Sequence, residues 1–218
     1  MLIPSGAPHL ISPDTGAVTR RLTALPVGEH ALLVETGDEV RALSLATWAR
    51  SVGVAAVEVV PAAETVLFAG VEDPAALLDR LEAWPQEAPP PDGEVVELPV
   101  RYDGPDLGFA AEAWGVPVRE VAAVHAAREY VVAFCGFAPG FAYLGGLPDE
   151  LALPRLDTPR TRVPAGSVAV ADRWTGVYPS ASPGGWRLLG RTPVTLFDPT
   201  SARPALLPPG TRVRLVPQ

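Results

Sequence analysis

The chain has 218 residues, 48% of them hydrophobic, with 26 Pro and 20 Gly; that composition suits one large or two small globular domains of short strands joined by turns. Its net charge is −8 and all 17 basic residues are Arg. A chain without Lys has no Schiff-base amine and no phosphate-loop lysine, and an acidic balance with no basic run lacks the footprint of a nucleic-acid binder. No stretch has the length of a membrane span and no signal-peptide pattern stands at the start, so a cytoplasmic protein with neither membrane nor nucleic-acid partners is expected.

Residues 1–22 are rich in Pro and Gly and read as a tail or one loosely held strand. Residues 29–35 read as a strand, and 38–52 as a helix whose apolar positions Val40, Leu43, Leu45, Ala46 and Ala49 lie near helical spacing. Asp38 is placed to cap its start and Gly53 to stop it. The β-branched run Val54–Val60 and the segment Thr65–Ala69 read as strands, and Asp73-Pro74 opens a second helix with Leu77, Leu78 and Leu81 on one face. These elements make a small two-layer α/β domain over residues 23–84. Residues 85–93, with four Pro, form the linker.

Beyond the linker, residues 94–218 form a second domain. Val95–Arg101 is a strand, Gly108–Trp114 is helical, and another helix runs from Pro117 to about Arg128 on Val121, Val124 and Ala127. Short strands then follow at 130–135, 167–171, 186–189, 193–197 and 212–216, with Pro and Gly between them. Many short, punctuated strands predict a closed or nearly closed barrel, and the fold class is α+β.

The most unusual run is Phe134–Pro148, with four Gly, two Pro and four aromatic rings in fifteen residues. Gly permits positive φ and close backbone approach, Pro fixes the turns, and rings supply flat apolar walls. The run therefore predicts a rigid, backbone-lined cleft. The segment Ser182–Trp186 repeats that chemistry, and Val163–Ser167 lies between the two.

Together with Thr158–Arg160, Thr175–Pro179, Gly190–Pro193 and Leu196–Pro199, these runs resemble the family of the first allophanate hydrolase subunit, the carboxyltransferase subdomain C and D unit. Its members include the B-type subunit of bacterial 5-oxoprolinase and the inhibitor of the sporulation histidine kinase, and the same unit is half of the carboxyltransferase domain of urea carboxylase. The resemblance is strong from about Glu94 onward, weaker from Leu25 to Trp84, and does not reach the first twenty residues. It implies a two-layer N-terminal domain followed by a cyclophilin-like β-barrel, without implying prolyl isomerase activity. It also implies one member of an ATP-dependent complex that opens 5-oxoproline, a small cyclic amide, to L-glutamate. Such a protein is silent alone and works with two others. One is a homologous second carboxyltransferase-like subunit, the C-type subunit, which matches the second allophanate hydrolase subunit. The other is a third, A-type subunit. ATP is consumed by the complex, at a site not assigned to this chain. The alternatives are a module that docks on a histidine kinase, and an allophanate or urea carboxyltransferase component. In the last case biotin rides on another protein, because no Lys exists here to carry it.

Within that frame His125 is the candidate catalytic residue, as a general base or a group orienting a substrate carbonyl; the bland reading is a His capping its own helix. In many relatives two serines follow the equivalent His, whereas Ala126 and Ala127 follow it here, and Trp174 replaces a frequent Gln. Arg160 and Arg162 are candidates to fork onto a substrate carboxylate, or are simply solvated. The backbone of Gly136, Pro139, Gly140 and onward to Gly146 is the candidate oxyanion cradle. Phe137, Phe141, Tyr143, Tyr178 and Trp186 wall either a cleft or a protein contact, or pack at barrel corners, with Gly184 and Gly185 beside them. Ser167 is a hydrogen-bonding hydroxyl rather than a nucleophile, since no Gly-x-Ser-x-Gly elbow is present. Cys135, the only cysteine, excludes an internal disulfide and a multi-cysteine zinc site. It is either a packing residue or a reactive thiol. His9, His30 and His125 are too dispersed for a metal motif, so no metal site is expected.

Overall fold

A computed structural model describes residues 22–86 and 93–218. Nearly all of the expected N-terminal tail, and the centre of the expected linker, lie outside the described residues. The first part contains β1 (Thr23–Pro26), β2 (Ala31–Glu35), α1 (Glu39–Ser51), β3 (Glu58–Pro61), β4 (Thr65–Ala69) and α2 (Pro74–Leu81). Its four strands form an antiparallel sheet in the order β1-β2-β4-β3. Both helices start where short acidic side chains can cap them. Asp38 accepts from the Arg41 amide at 2.8 Å, and Asp73 accepts from the Ala75 and Ala76 amides at 3.0 Å. Leu32, Val34, Val66 and Phe68 on the sheet meet Leu45, Ala46, Ala49, Leu77 and Leu81 on the helices to form one core.

The expected strand Val54–Val60 is shorter than its β-branched run. Val54 is buried in a turn whose amide bonds back to Ala49 at 2.9 Å, and pairing begins only at Glu58. Tertiary packing of the helix end overrides strand propensity there.

The second part contains β5 (Val95–Val100), α3 (Leu107–Trp114), α4 (Val121–Ala126), β6 (Glu129–Cys135), β7 (Ala142–Gly145), β8 (Arg160–Val163), β9 (Ser167–Ala171), β10 (Trp174–Val177), β11 (Ser182–Gly184), β12 (Arg187–Arg191) and β13 (Arg212–Pro217). The long helix expected from Pro117 is a tight 3-10 turn at Val118–Glu120 followed by the six-residue α4. The expected strand 193–197 is irregular, with a single bridge from Phe197 to Ala205. Among the described residues, no helix is long and apolar enough to cross a membrane.

Seven strands form a sheet in the order β12-β9-β10-β7-β6-β13-β5. The β5–β13 pair is parallel and the other neighbours are antiparallel. The two edges then meet, as Arg101 just after β5 and Arg191 at the end of β12 exchange both backbone bonds at 2.9 Å. Gly190 lets this seam close, for a Cβ there would collide with the Arg101 carbonyl oxygen. Closure removes the open edges that a sheet would otherwise expose. Leu98, Tyr130, Val132, Leu144, Val168, Val170, Val177, Leu189 and Val213 fill the barrel, and Ala110, Ala111 and Val121 of α3 and α4 pack against them. The separate β8–β11 pair lies outside the sheet.

Candidate functional site

Side chains alternate across a strand, and β9 shows what that means for a barrel wall. Val168 and Val170 enter the barrel core, whereas Ala169 and Ala171 belong to a second apolar cluster on the outer face. Every residue of β9 is therefore buried. On neighbouring strands Phe141, Trp186 and Leu188 join the outer cluster while Ala142, Leu144 and Leu189 go inside. Small side chains at 169, 171 and 176 leave space for large rings above them. A Cβ on Gly176 would meet Trp186 at 2.8 Å and Phe141 at 3.0 Å, and one on Gly184 would collide with the Tyr178 hydroxyl.

Phe141 is the hub. Its ring lies 5.2 Å from Tyr143, 5.2 Å from Tyr178, 5.3 Å from Trp186 and 5.4 Å from Phe137, mostly edge to face. Burying that ring contributes about 1.5–3 kcal/mol, and the aromatic pairs add to it. Phe137 sits on the rim, 64% exposed and at φ 67°. A bulky residue in the left-handed region is strained and is held there by its surroundings.

These rings floor a cavity of about 370 Å³, at the lower end of the usual ligand range of roughly 300–1,000 Å³. Two charged residues line it, Arg155 and Asp172. The segment carrying Arg155 is strapped at both ends. Leu153 and Asp172 exchange backbone bonds at 2.7 and 3.1 Å, and the Leu156 amide donates to the Gly185 carbonyl at 2.7 Å. Between them the Arg187 Nε donates to the Pro154 carbonyl at 3.0 Å. Burial pushes the Tyr143 and Tyr178 phenols up, and the Arg155 guanidinium opposes that shift in both. Its charge therefore stands beside both rings. Neither the Arg155 nor the Asp172 side chain has a hydrogen bond or ion pair among the described residues. The cavity thus offers an apolar floor with one uncommitted cation and one uncommitted anion.

Of the residues expected at a site, Phe137, Phe141, Tyr143, Tyr178, Gly184, Gly185 and Trp186 do line this cleft. Gly136, Pro139 and Gly140 shape its entrance turn without lining it. The Gly136, Ala138 and Phe141 amides bond to carbonyls within the turn, and Gly140, at φ 81°, packs on Phe197. Those three amides are not free to cradle an oxyanion.

His125 lies elsewhere, fully buried inside the barrel. Its Nδ1 is 2.9 Å from the Tyr102 hydroxyl and its Nε2 is 2.9 Å from the Thr175 hydroxyl, while Tyr130 donates to its carbonyl at 2.7 Å. Burial, aided by the Arg128 charge, holds its pKa down at about 3. A neutral imidazole with both nitrogens occupied positions β10 from behind and has no open atom for a substrate. It does not cap α4 with its ring either.

Arg160 is committed as well. It donates to both Asp106 oxygens at 2.8 and 3.0 Å, and to the Trp186 carbonyl at 3.2 Å. With Arg162 and Ser167 it lines a separate, shallower groove of about 520 Å³. The Ser167 hydroxyl donates to the Pro164 carbonyl at 2.8 Å. Cys135 is half-buried and its Sγ contacts the Leu207 carbonyl at 3.4 Å; burial pushes the thiol up, away from reactivity. Trp174, which the sequence marks only as a departure, lines the cleft and stacks under the Arg173 guanidinium at 5.2 Å. Arg155 carries no motif at all.

The family model described as carboxyltransferase domain, subdomain C and D, matches residues 22–207. The chain is 49% identical over 146 residues to the B-type subunit of 5-oxoprolinase from Escherichia coli O157:H7, covering 65% of this chain and 67% of that protein. It is 47% identical over 125 residues to the B-type subunit of 5-oxoprolinase from Bacillus subtilis (strain 168), covering 56% and 52%. Thus it spans about half to two thirds of the length of these curated relatives. Among solved structures, TTHA0988 superposes with a TM-score of 0.74 at 37% identity, over 87% of this chain and 40% of that one. PH0987 from Pyrococcus horikoshii aligns over 90% and 97%, with a TM-score of 0.55 and 39% identity. The urea amidolyase of K. lactis shares the fold at 18% identity, with a TM-score of 0.69 over 96% of this chain and 15% of that one.

Proposed function

The chain belongs to the carboxyltransferase domain, subdomain C and D family, and from that membership we propose that it is the B-type subunit of a 5-oxoprolinase, whose outer aromatic cleft receives the lactam. The names of its relatives support the reaction. The observation that carries the assignment to the cleft is Arg155, a guanidinium unpaired among the described residues and held by a backbone strap over an aromatic floor. A guanidinium presents a planar fork that matches a carboxylate. Arg155 therefore takes the role the sequence suggested for Arg160 or Arg162, and the flat ring of 5-oxoproline lies on Phe141, Tyr143 and Trp186.

The site is composite. This chain binds and orients the substrate and shields one face of it from water. His125 supplies no base to the cleft, because it is walled off inside the barrel. The proton-transfer groups and oxyanion donors come from the homologous second subunit and the third subunit, and the chain alone is silent. Phe137, exposed on the rim, is placed to meet that partner surface.

Among the described residues, the arginine-lined groove does not fit a nucleoside triphosphate. Arg160 and Arg191, in that separate groove, are already paired with Asp106 and Asp103, which leaves Arg162 as the groove's one arginine without an ion-pair partner among the described residues. No step is routed through ATP on this chain.

The test is co-expression with the two partner subunits and measurement of ATP-dependent glutamate release from 5-oxoproline. Release that requires all three proteins is the expected result. A stable three-protein complex without release would transfer the cleft to another amide. Full release without this chain would end the proposal.

A further inference from the structure

Asp172 begins the tight connection between β9 and β10, at φ 49°. A short polar residue tolerates that left-handed conformation, so the turn alone accounts for an Asp, Asn or Gly at this place. The turn does not account for a charged residue at this place: Asp172 lines the aromatic cavity at its exposed rim, and its side chain has no partner among the described residues. Its neighbour Arg173 is bound to Glu39 instead. The same carboxylate-bearing residue shares two backbone bonds with Leu153, two residues before Arg155. One backbone bridge therefore sets both charges at the cavity, and no ion pair within 4.0 Å joins them. Opposite charges that line the rim of one cavity and do not bridge each other suit a ligand that is itself dipolar.

Resting on the 5-oxoprolinase reading, we propose that Asp172 reads the nitrogen end of the ligand while Arg155 holds its α-carboxylate. The cleft is then selective for α-amino acid chemistry and grips the ring-opened product more firmly than the lactam. In the overall hydrolysis the ring C–N bond breaks, the oxygen of water joins the carbonyl carbon as part of the new carboxylate, and both protons of water end on nitrogen. The lactam N–H, a single neutral donor, becomes an ammonium group as the new carboxylic acid ionises. The Asp172 contact changes from a neutral-donor hydrogen bond to a charge-assisted ion pair, roughly twice as strong. The protein thereby stabilises the product side of a difficult ring opening, at the cost of slower product release.

The experiment titrates the purified full chain with L-glutamate, 5-oxoproline and glutarate, the last keeping both carboxylates and lacking nitrogen. Binding is followed by Trp fluorescence, since Trp174 and Trp186 line the cleft. L-Glutamate should bind about ten-fold or more tighter than glutarate, with 5-oxoproline between them. Asp172→Asn keeps the left-handed turn and should bring glutamate to the level of glutarate, with an unchanged thermal midpoint. Equal binding of glutarate and glutamate to the wild-type chain, or a glutamate preference that survives in Asp172→Asn, would overturn the role of Asp172 and leave the Arg155 site standing. Failure of all three ligands to bind would remove the cleft assignment itself.

Discussion

The two faces of one strand, β10, treat polar side chains in opposite ways. On the inside, Thr175 meets His125, which meets Tyr102, and each polar atom is satisfied by another. On the outside, Trp174 and Gly176 border a cleft where the Arg155 and Asp172 side chains have no partner among the described residues. Buried polar groups must find partners within the protein or destabilise it, so the interior network is a device of structure. Charged groups at a cavity mouth remain hydrated and available. Chemical character alone ranks His125 above Arg155 as a functional residue, and satisfaction of hydrogen bonds reverses that order.

The sharpest way to break this contrast is to empty the interior. His125→Ala strands the Tyr102 and Thr175 hydroxyls in a dry core and leaves a cavity, and should cost about 3–5 kcal/mol, read by chemical denaturation. An unaltered stability would show that the network is not structural. Arg160→Ala comes next. Among the described residues it leaves the buried Asp106 with the Leu188 amide at 2.6 Å and Arg187 at 3.9 Å, so a stability loss of about 1–3 kcal/mol is expected. Loss of ligand binding with full stability would instead return Arg160 to the substrate.

On the outer face, Arg155→Gln should weaken 5-oxoproline binding by roughly 10- to 100-fold with no change in unfolding midpoint, because the side chain supports nothing else among the described residues. The smallest effect, per unit of change, is that of pH on the interior. The folded pKa of His125, about 3, lies below its unfolded value near 6.5, so the unfolded chain binds the proton first. Stability is then complete above about pH 6.5 and falls as pH drops toward 3, by up to about 1.4 kcal/mol per pH unit. Unfolding measured at pH 7 and pH 5 checks the slope, and His125→Gln should flatten it.

Much of the fold is legible in the sequence. The capping residues Asp38 and Asp73, the strand Thr65–Ala69 and the strand Ser167–Ala171 stand as the pattern suggests, because local preference and tertiary packing agree there. The short strands β1, β7, β8, β10 and β11 are not legible. Each has three or four residues, and most lie in runs whose Gly and Pro signal turns. What makes them strands is pairing, some of it near in the chain, as β1 with β2 and β10 with β9, and some of it far, as β7 with β10. The aromatic half of the cleft is readable from composition, since rings beside Gly and Pro are unusual in core strands. The charged half is not. Arg155 sits in a plain Leu-Pro-Arg-Leu stretch, and the backbone bonds of its neighbours to Asp172 and Gly185 bring it to the site. Conversely, nothing in the sequence shows that Arg160 and Asp106, 54 positions apart, neutralise each other.

The place of β13 in the barrel has a consequence for how the chain is made. It is the last barrel strand to leave the ribosome, yet it lies between β5 and β6, two strands formed far earlier. Until it arrives, both earlier strands have an unpaired flank, and the circular wall has a gap in its middle rather than at its seam. Nascent barrels therefore wait, open-sided, for their final segment, and that interval is when neighbouring chains on a polysome are most exposed to pairing with one another.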